Sequence, residues 1–232
     1  MIKGILFDYG GTIDTNGRHW ANVLWEAYKK NKVSTDKEQF MEAYAFGEKA
    51  LAIYPIIRPD HRFSDVLLLK LQQQFQYLKL SDEEYKIPLL VADCMQVVQS
   101  SLKHAHQTLE HLANTYPLVM VSNFYGNIQT VLTEFGINAY FSSIVESAVV
   151  GVRKPDPAIY ELGVKALGFL AHECVVIGDS YRKDIVPAKQ VGCKTIWINV
   201  DGFEEDYKGA ALEAADRQIT DFVQIPDKIK EL

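Results

Sequence analysis

The amino-acid sequence predicts a doubly wound parallel α/β sheet with an all-helical segment inserted after its first strand. Two textures along the chain carry that expectation. In residues 1–15, and again from about residue 104 to the end, short apolar runs alternate with amphipathic stretches. Residues 16–103 show helical spacing and no stretch with strand character. Strands alternating with helices need crossover connections, which lay the strands parallel and cover both faces of the sheet.

The elements follow in order. The first strand is 2–7. In the inserted block, Trp20, Val23, Leu24, Ala27 and Tyr28 recur at helical spacing, as do Phe40, Ala43, Tyr44, Gly47 and Leu51. Phe63, Val66, Leu67, Leu71, Phe75 and Leu78 make a third stripe, and a fourth follows Ile87. Thr35 with Glu38, and Ser81 with Glu84, have capping-box spacing. Such aromatic stripes are ordinarily packed core. Later strands are expected at 118–122, 143–146, 174–177 and 195–200. Crossover helices are expected at 108–114, 128–135, 157–167 and 185–191. The division is therefore 1–15 with 104–232 for the sheet, and 16–103 for the helical block.

Composition narrows the function classes. The chain has 232 residues, enough to bury a sizeable core. Thirty acidic residues against 24 basic ones give a formal charge of −6, which argues against nucleic acid as a partner. It does not oppose a phosphorylated ligand, because the field in a pocket can differ from the net charge. The three cysteines, Cys94, Cys174 and Cys193, lack metal-ligand spacing and read as buried reduced thiols of a cytoplasmic protein. No secretory pattern or membrane-length apolar run is present, so no membrane partner is expected. A monomer or homodimer is expected.

Four separated stretches carry chemistry. The first strand ends on Asp8 and runs into Tyr9-Gly10-Gly11-Thr12. The second ends in Ser122-Asn123. Lys154 stands in Arg153-Lys154-Pro155-Asp156-Pro157. Gly178-Asp179-Ser180, with Asp184 beyond, follows the run ending at Ile177. In a doubly wound sheet, strand ends gather along one edge, so residues far apart in sequence can meet there. Asp8 is placed to attack phosphorus as a nucleophile. Two anions approach only if neutralised. Mg²⁺, which prefers oxygen ligands, suits Asp8, Asp179 and a loop carbonyl such as that of Gly10. Ser122 is placed to donate to a phosphoryl oxygen, and Lys154 to set a positive charge beside it. Asp184 supports the lysine or the metal. Gly11, Thr12 and Asn123 are expected beside the substrate. Each stretch alone is an ordinary turn or cap; their joint occurrence in this order carries the functional reading.

Together, the stretch from Asp8 to Asp14, Ser122-Asn123, Lys154-Pro155, and Gly178-Asp179 with Asp184 resemble the haloacid dehalogenase-like hydrolases. The resemblance covers the whole chain. It implies a Rossmann-like core, with the helical block as a cap. It also implies Mg²⁺-dependent hydrolysis of a small phosphorylated metabolite through an aspartyl-phosphate on Asp8. Ser122 and Lys154 would hold the phosphate, and Asp179 the metal.

The sequence departs from that pattern at one point. Phosphatases of the family usually carry a second aspartate two positions after the nucleophile, as acid and base. Here that position is Gly10. Such proton transfer is typically worth ~10²–10⁴-fold in rate. Three alternatives therefore stand beside a phosphatase: a phosphonoacetaldehyde hydrolase-like enzyme using a cap lysine (Lys29, Lys30, Lys32 or Lys49), a 2-haloacid dehalogenase-like enzyme, and an impaired protein that binds a phospho-ligand. In the cap, Tyr44, Tyr54, Arg58, His61 and Arg62 are candidates to face the cleft, with Arg58 as the anion contact. Asp14 is expected to be a polar residue opening the linker.

Overall fold

A computed structural model describes residues 1–200 and 215–232. Its sheet contains β1 (Gly4–Phe7), β2 (Leu118–Ser122), β3 (Phe141–Glu146), β4 (Cys174–Gly178), β5 (Lys194–Ile198) and β6 (Arg217–Ile219). The order is β3-β2-β1-β4-β5-β6, with every neighbouring pair parallel. This is a doubly wound sheet whose order reverses beside β1. Five strands lie where the apolar runs predict them. β6 is a three-residue strand, Arg-Gln-Ile, too short to show a period.

Alternation along the strands divides the core. Ile5, Phe7, Leu118, Met120, Val175 and Ile177 belong to one apolar cluster. Leu6, Val119, Val121, Cys174 and Val176 belong to the other. Successive side chains point to opposite faces, so both faces are buried. That is why these runs are apolar throughout rather than alternating.

Between β1 and β2 lie α1 (Trp20–Lys30), α2 (Lys37–Ile53), α3 (Phe63–Leu78) and α4 (Ile87–Ala113). Among the described residues, no strand interrupts them. Their aromatic stripes are core: Trp20, Leu24, Tyr28, Phe40, Phe63, Leu71 and Phe75 join the same cluster as Phe7 and Met120. α4 runs unbroken through residues 103–104, where the sequence reading divides the chain. Cys94, Val98, Leu102, Ala105, Leu109 and Leu112 make one buried stripe along it, so no local signal ends the helix there. The predicted caps shift. Asp36, not Thr35, begins α2, accepting from the Gln39 N–H at 2.9 Å. Residues 81–86 form a single 3₁₀ segment with no side-chain cap.

Among the described residues, the remaining α-helices are α5 (Ile128–Glu134), α6 (Ser147–Val150), α7 (Ala158–Leu167), α8 (Val186–Val191) and α9 (Ile225–Lys230). Among the described residues, no helix is long and apolar enough to cross a membrane. All three cysteines are buried and free.

Candidate active site

β1 and β4 are neighbours, with Phe7 opposite Ile177. The ladder continues one rung further, from the Asp8 N–H to the Ile177 carbonyl at 2.9 Å. Asp8 and the Gly178-Asp179 turn therefore leave the sheet side by side, at the crevice where the strand order reverses. Asp8, Asp179 and Asp184 each bring a carboxylate oxygen within 4.8 Å of the others.

Lys154 enters this cluster from the loop before α7. Its Nζ donates to Asp8 Oδ1 at 2.6 Å and to Asp184 Oδ1 at 2.7 Å. Its side chain is 2% exposed. Burial favours the neutral amine, but the carboxylates of Asp184 and Asp8 outweigh it and raise the Lys154 pKa above the ordinary value. Burial also raises Asp8, against the pull of Lys154. Burial, then repulsion from Asp8 and Asp184, pushes Asp179 well above the usual carboxylate range.

The supporting contacts sort the expected residues. Asn123 makes two hydrogen bonds to the backbone of Lys154: its Oδ1 accepts from the N–H at 2.8 Å and its Nδ2 donates to the carbonyl at 3.0 Å. It borders the cavity and sets the lysine, with one N–H and one lone pair of its amide beyond those two bonds. Thr12 is fully buried and donates to Asp8 Oδ2 at 2.9 Å while accepting from the Asp179 N–H at 3.0 Å. Gly11 sits at φ +95°, and a Cβ there would fall 2.2 Å from Asp179 Oδ2. Its N–H is taken by Asp14 Oδ1 at 2.7 Å. Gly11 and Thr12 thus hold the carboxylates together from below, and neither borders the cavity.

Asp14 is not a linker residue. It is fully buried and bridges the Gly11 N–H to Trp20 Nε1, the latter at 2.9 Å. Burial raises its pKa to about 7, against both donors. Tyr160, on the first turn of α7, was missed by sequence reasoning. Its hydroxyl donates to Asp184 Oδ1 at 2.7 Å. Its only advance signal was its place on the helix that follows the Lys154 loop.

A cavity of about 860 Å³ lies over this cluster. Asp8, Gly10, Ser122, Asn123, Lys154, Asp179 and Asp184 all border it, so the four sequence stretches meet at one floor or its rim. Its roof comes from α2, α3 and the end of the 8–19 loop, including His19, Tyr44, Glu48 and Lys70. Arg58 does not reach it: it is exposed and pairs with Asp60 at 3.0 Å. Tyr54 is exposed, and Arg62 borders a separate, smaller hollow. Arg58 therefore stands outside the cavity, with two of its five N–H donors on Asp60, and the structure does not bring the expected anion contact to the site.

A sequence model of the haloacid dehalogenase-like hydrolases matches residues 2–192. The chain belongs to that family. Its hydrolase relatives include a glyceraldehyde 3-phosphate phosphatase of Pyrococcus furiosus, 34% identical over 38% of this chain and 37% of the relative. A phosphoglycolate phosphatase of Yersinia pestis is 40% identical over 39% of this chain and 40% of the relative. The matched stretch thus spans well under half the length of either relative. Among solved structures, a 2-haloacid dehalogenase of Pseudomonas syringae superposes with a TM-score of 0.55 at 22% identity, covering 100% of this chain and 99% of that one. A phosphatase of the family from Thermococcus onnurineus gives 0.55 at 23% identity, covering 98% of each. These two likenesses establish the fold shared by the family: a Rossmann-like sheet with a helical cap.

Proposed function

We propose that this hydrolase is a Mg²⁺-dependent phosphatase of a small phosphorylated metabolite, working through an aspartyl-phosphate on Asp8. The observation that carries the reading is the buried cluster of Asp8, Asp179 and Asp184 around Lys154, on the floor of a cavity wide enough for a small ligand. The donor set fits a hard divalent cation: closely spaced carboxylate oxygens, two of them on groups that burial pushes toward the neutral form. Asp8, Asp179 and the Gly10 carbonyl would hold Mg²⁺, with Asp184 as a supporting member. When bound, the ion would neutralise the charge on the phosphoryl oxygens.

The chain's own residues do the rest. An Asp8 oxygen attacks phosphorus, and the bond from phosphorus to the leaving oxygen breaks. Water then hydrolyses the acyl phosphate, returning Asp8 and releasing phosphate. Lys154 has three N–H donors and spends two on Asp8 and Asp184, which leaves one for a phosphoryl oxygen. Ser122, buried at the cavity edge, supplies another donor. Asp184 and Asn123 keep Lys154 in place. Gly10 offers no proton, so the leaving oxygen takes one from water, and substrates with good leaving groups are favoured. Helices α1–α3 and the start of α4 act as the cap.

Two observations weigh against the alternatives. Of the four candidate cap lysines, Lys49 borders the cavity and is exposed, while Lys70, outside that set, is the one buried against it. Burial lowers its pKa, but Glu48 outweighs that and holds the amine protonated, whereas a Schiff base needs it neutral. The carboxylates at 179 and 184 retain a cation site that halide displacement does not need.

The test is phosphate release from a panel of phosphate esters and acyl phosphates, with Mg²⁺ and with chelator. Release should need Mg²⁺, and Asp8→Asn should lower it by about 10³-fold or more while thermal melting shows an intact fold. Turnover surviving Asp8→Asn would remove Asp8 as the nucleophile.

A further inference from the structure

The cavity's roof carries an ion pair that the phosphoryl chemistry does not use. Lys70 on α3 donates to Glu48 Oε1 on α2 at 2.5 Å. Glu48 Oε2 accepts from the hydroxyl of Tyr125 at 3.0 Å, and Tyr125 lies in the loop that follows Ser122, the last residue of β2. The ammonium of Lys70 stands 5.7 Å from the centre of the Tyr125 ring. All three residues border the cavity that contains Asp8.

The two charges are not equally presented. The Lys70 side chain is 9% exposed and that of Glu48 is 35%. Lys70 is sealed behind its partner, and the carboxylate faces the cavity. A carboxylate has about four acceptor positions, and Lys70 and Tyr125 occupy two of Glu48's. The remaining positions can take donors from a ligand. Lys70 cancels the charge of Glu48, and Lys183 of the floor lies near enough to pull its pKa down further. The subsite is therefore an acceptor without net negative charge. It favours a neutral hydroxyl, gains little from an ammonium, and turns a lone-pair edge toward any carboxylate.

We propose that Glu48, held by Lys70 and Tyr125, is the specificity residue for the end of the ligand remote from phosphate. It selects hydroxylated phosphate esters, of the polyol or sugar class, over phosphorylated carboxylic acids. This rests on the phosphatase reading for the placement of the phosphate at Asp8.

Binding separates the two claims, because it does not depend on turnover. Calorimetry with Asp8→Asn protein and Mg²⁺ would compare glycerol 3-phosphate, ethyl phosphate and phosphoglycolate. Glycerol 3-phosphate should bind about tenfold more tightly than either, the worth of one or two hydrogen bonds to a charged group. Adding Glu48→Gln, which keeps one acceptor oxygen and removes the charge, should shrink that gap several-fold. Glu48→Asp, which keeps the charge but withdraws it by one methylene, should shrink it too, and covers the case where the glutamine variant fails to fold. Equal binding of the three ligands, or a gap that survives both substitutions, overturns the specificity role while leaving the phosphatase intact. If no phosphate compound binds and the wild type hydrolyses none, both proposals fall.

Discussion

The floor and the roof of the cavity each place a buried lysine against carboxylates, but they are built differently. On the floor, Lys154 joins Asp8, which leaves the end of β1 on a backbone rung, and Asp184, in the helical turn that follows β4. Strand spacing sets Asp8 beside the start of that turn, since neighbouring strands lie ~4.8 Å apart. On the roof, Lys70 meets Glu48 because two helices approach closely. Gly47 permits this: a Cβ there would come within 3.1 Å of Gln74 Cγ and 3.3 Å of the Lys70 carbonyl. The sheet edge makes a geometry that a reaction needs held fixed. Helix packing makes one that can vary with the ligand at little cost to the chemistry below.

The largest expected effect tests whether the floor is complete. A Cβ at Gly10 would find its nearest neighbour, Trp20 Nε1, at 3.9 Å, so a side chain fits. Gly10→Asp should raise phosphate-ester turnover by ~10²–10⁴-fold through supplied proton transfer; steady-state kinetics on an alkyl phosphate would show it, and an unchanged rate would mean that proton transfer is not the missing part. Next, Lys154→Met leaves two buried carboxylates and a half-buried one facing one another. Breaking a buried pair this way costs roughly 3–5 kcal/mol, read by denaturant unfolding, and turnover should drop ~10²–10³-fold. The roof should respond more mildly. Gly47→Ala presses on the Lys70 carbonyl, which cannot swing aside, and that cost should exceed the gain in helix propensity by about 1 kcal/mol, with ligand selectivity changing more than maximal rate.

The smallest effect concerns His19, where the loop from the floor enters α1. Its Nδ1 accepts from the Ala21 N–H at 3.2 Å as the start of α1. Burial, helped by Lys183, lowers its pKa to about 4. Between pH 6.5 and 4 the unfolded chain then binds more protons than the folded one, so this residue makes stability fall as pH falls through that window. His19→Asn keeps a capping acceptor and cannot titrate. Melting temperatures measured from pH 7 to pH 4 should decline less steeply in that variant than in the wild type.

Much of this was legible beforehand, for identifiable reasons. Asp8, Ser122 and Asp179 each close or follow an apolar run, so strand prediction and site prediction were one step. Lys70 and Gln74 stood unnoticed within the apolar stripe of α3, at helical spacing from Val66, and both are buried. Polar residues inside such a stripe were the available signal for the roof. Arg58 looked like an anion contact because the sequence does not reveal that Asp60 folds back onto it. Asp14 looked like a linker residue because its partners, Gly11 and Trp20, mean little until the loop closes on itself.

The sequence by itself determined the alternation of strands and helices, the inserted helical block, and the set of acids and the lysine on the floor. Periodicity and strand-end position are local properties of a chain, and a parallel sheet converts them into one edge. Only the tertiary structure decided which residues reach the cavity and which merely hold others: Asn123 behind Lys154, Thr12 beneath Asp8, Glu48 in front of Lys70. Those roles depend on which hydrogen-bonding capacity is already spent within the protein, and that is settled by packing between elements distant in sequence.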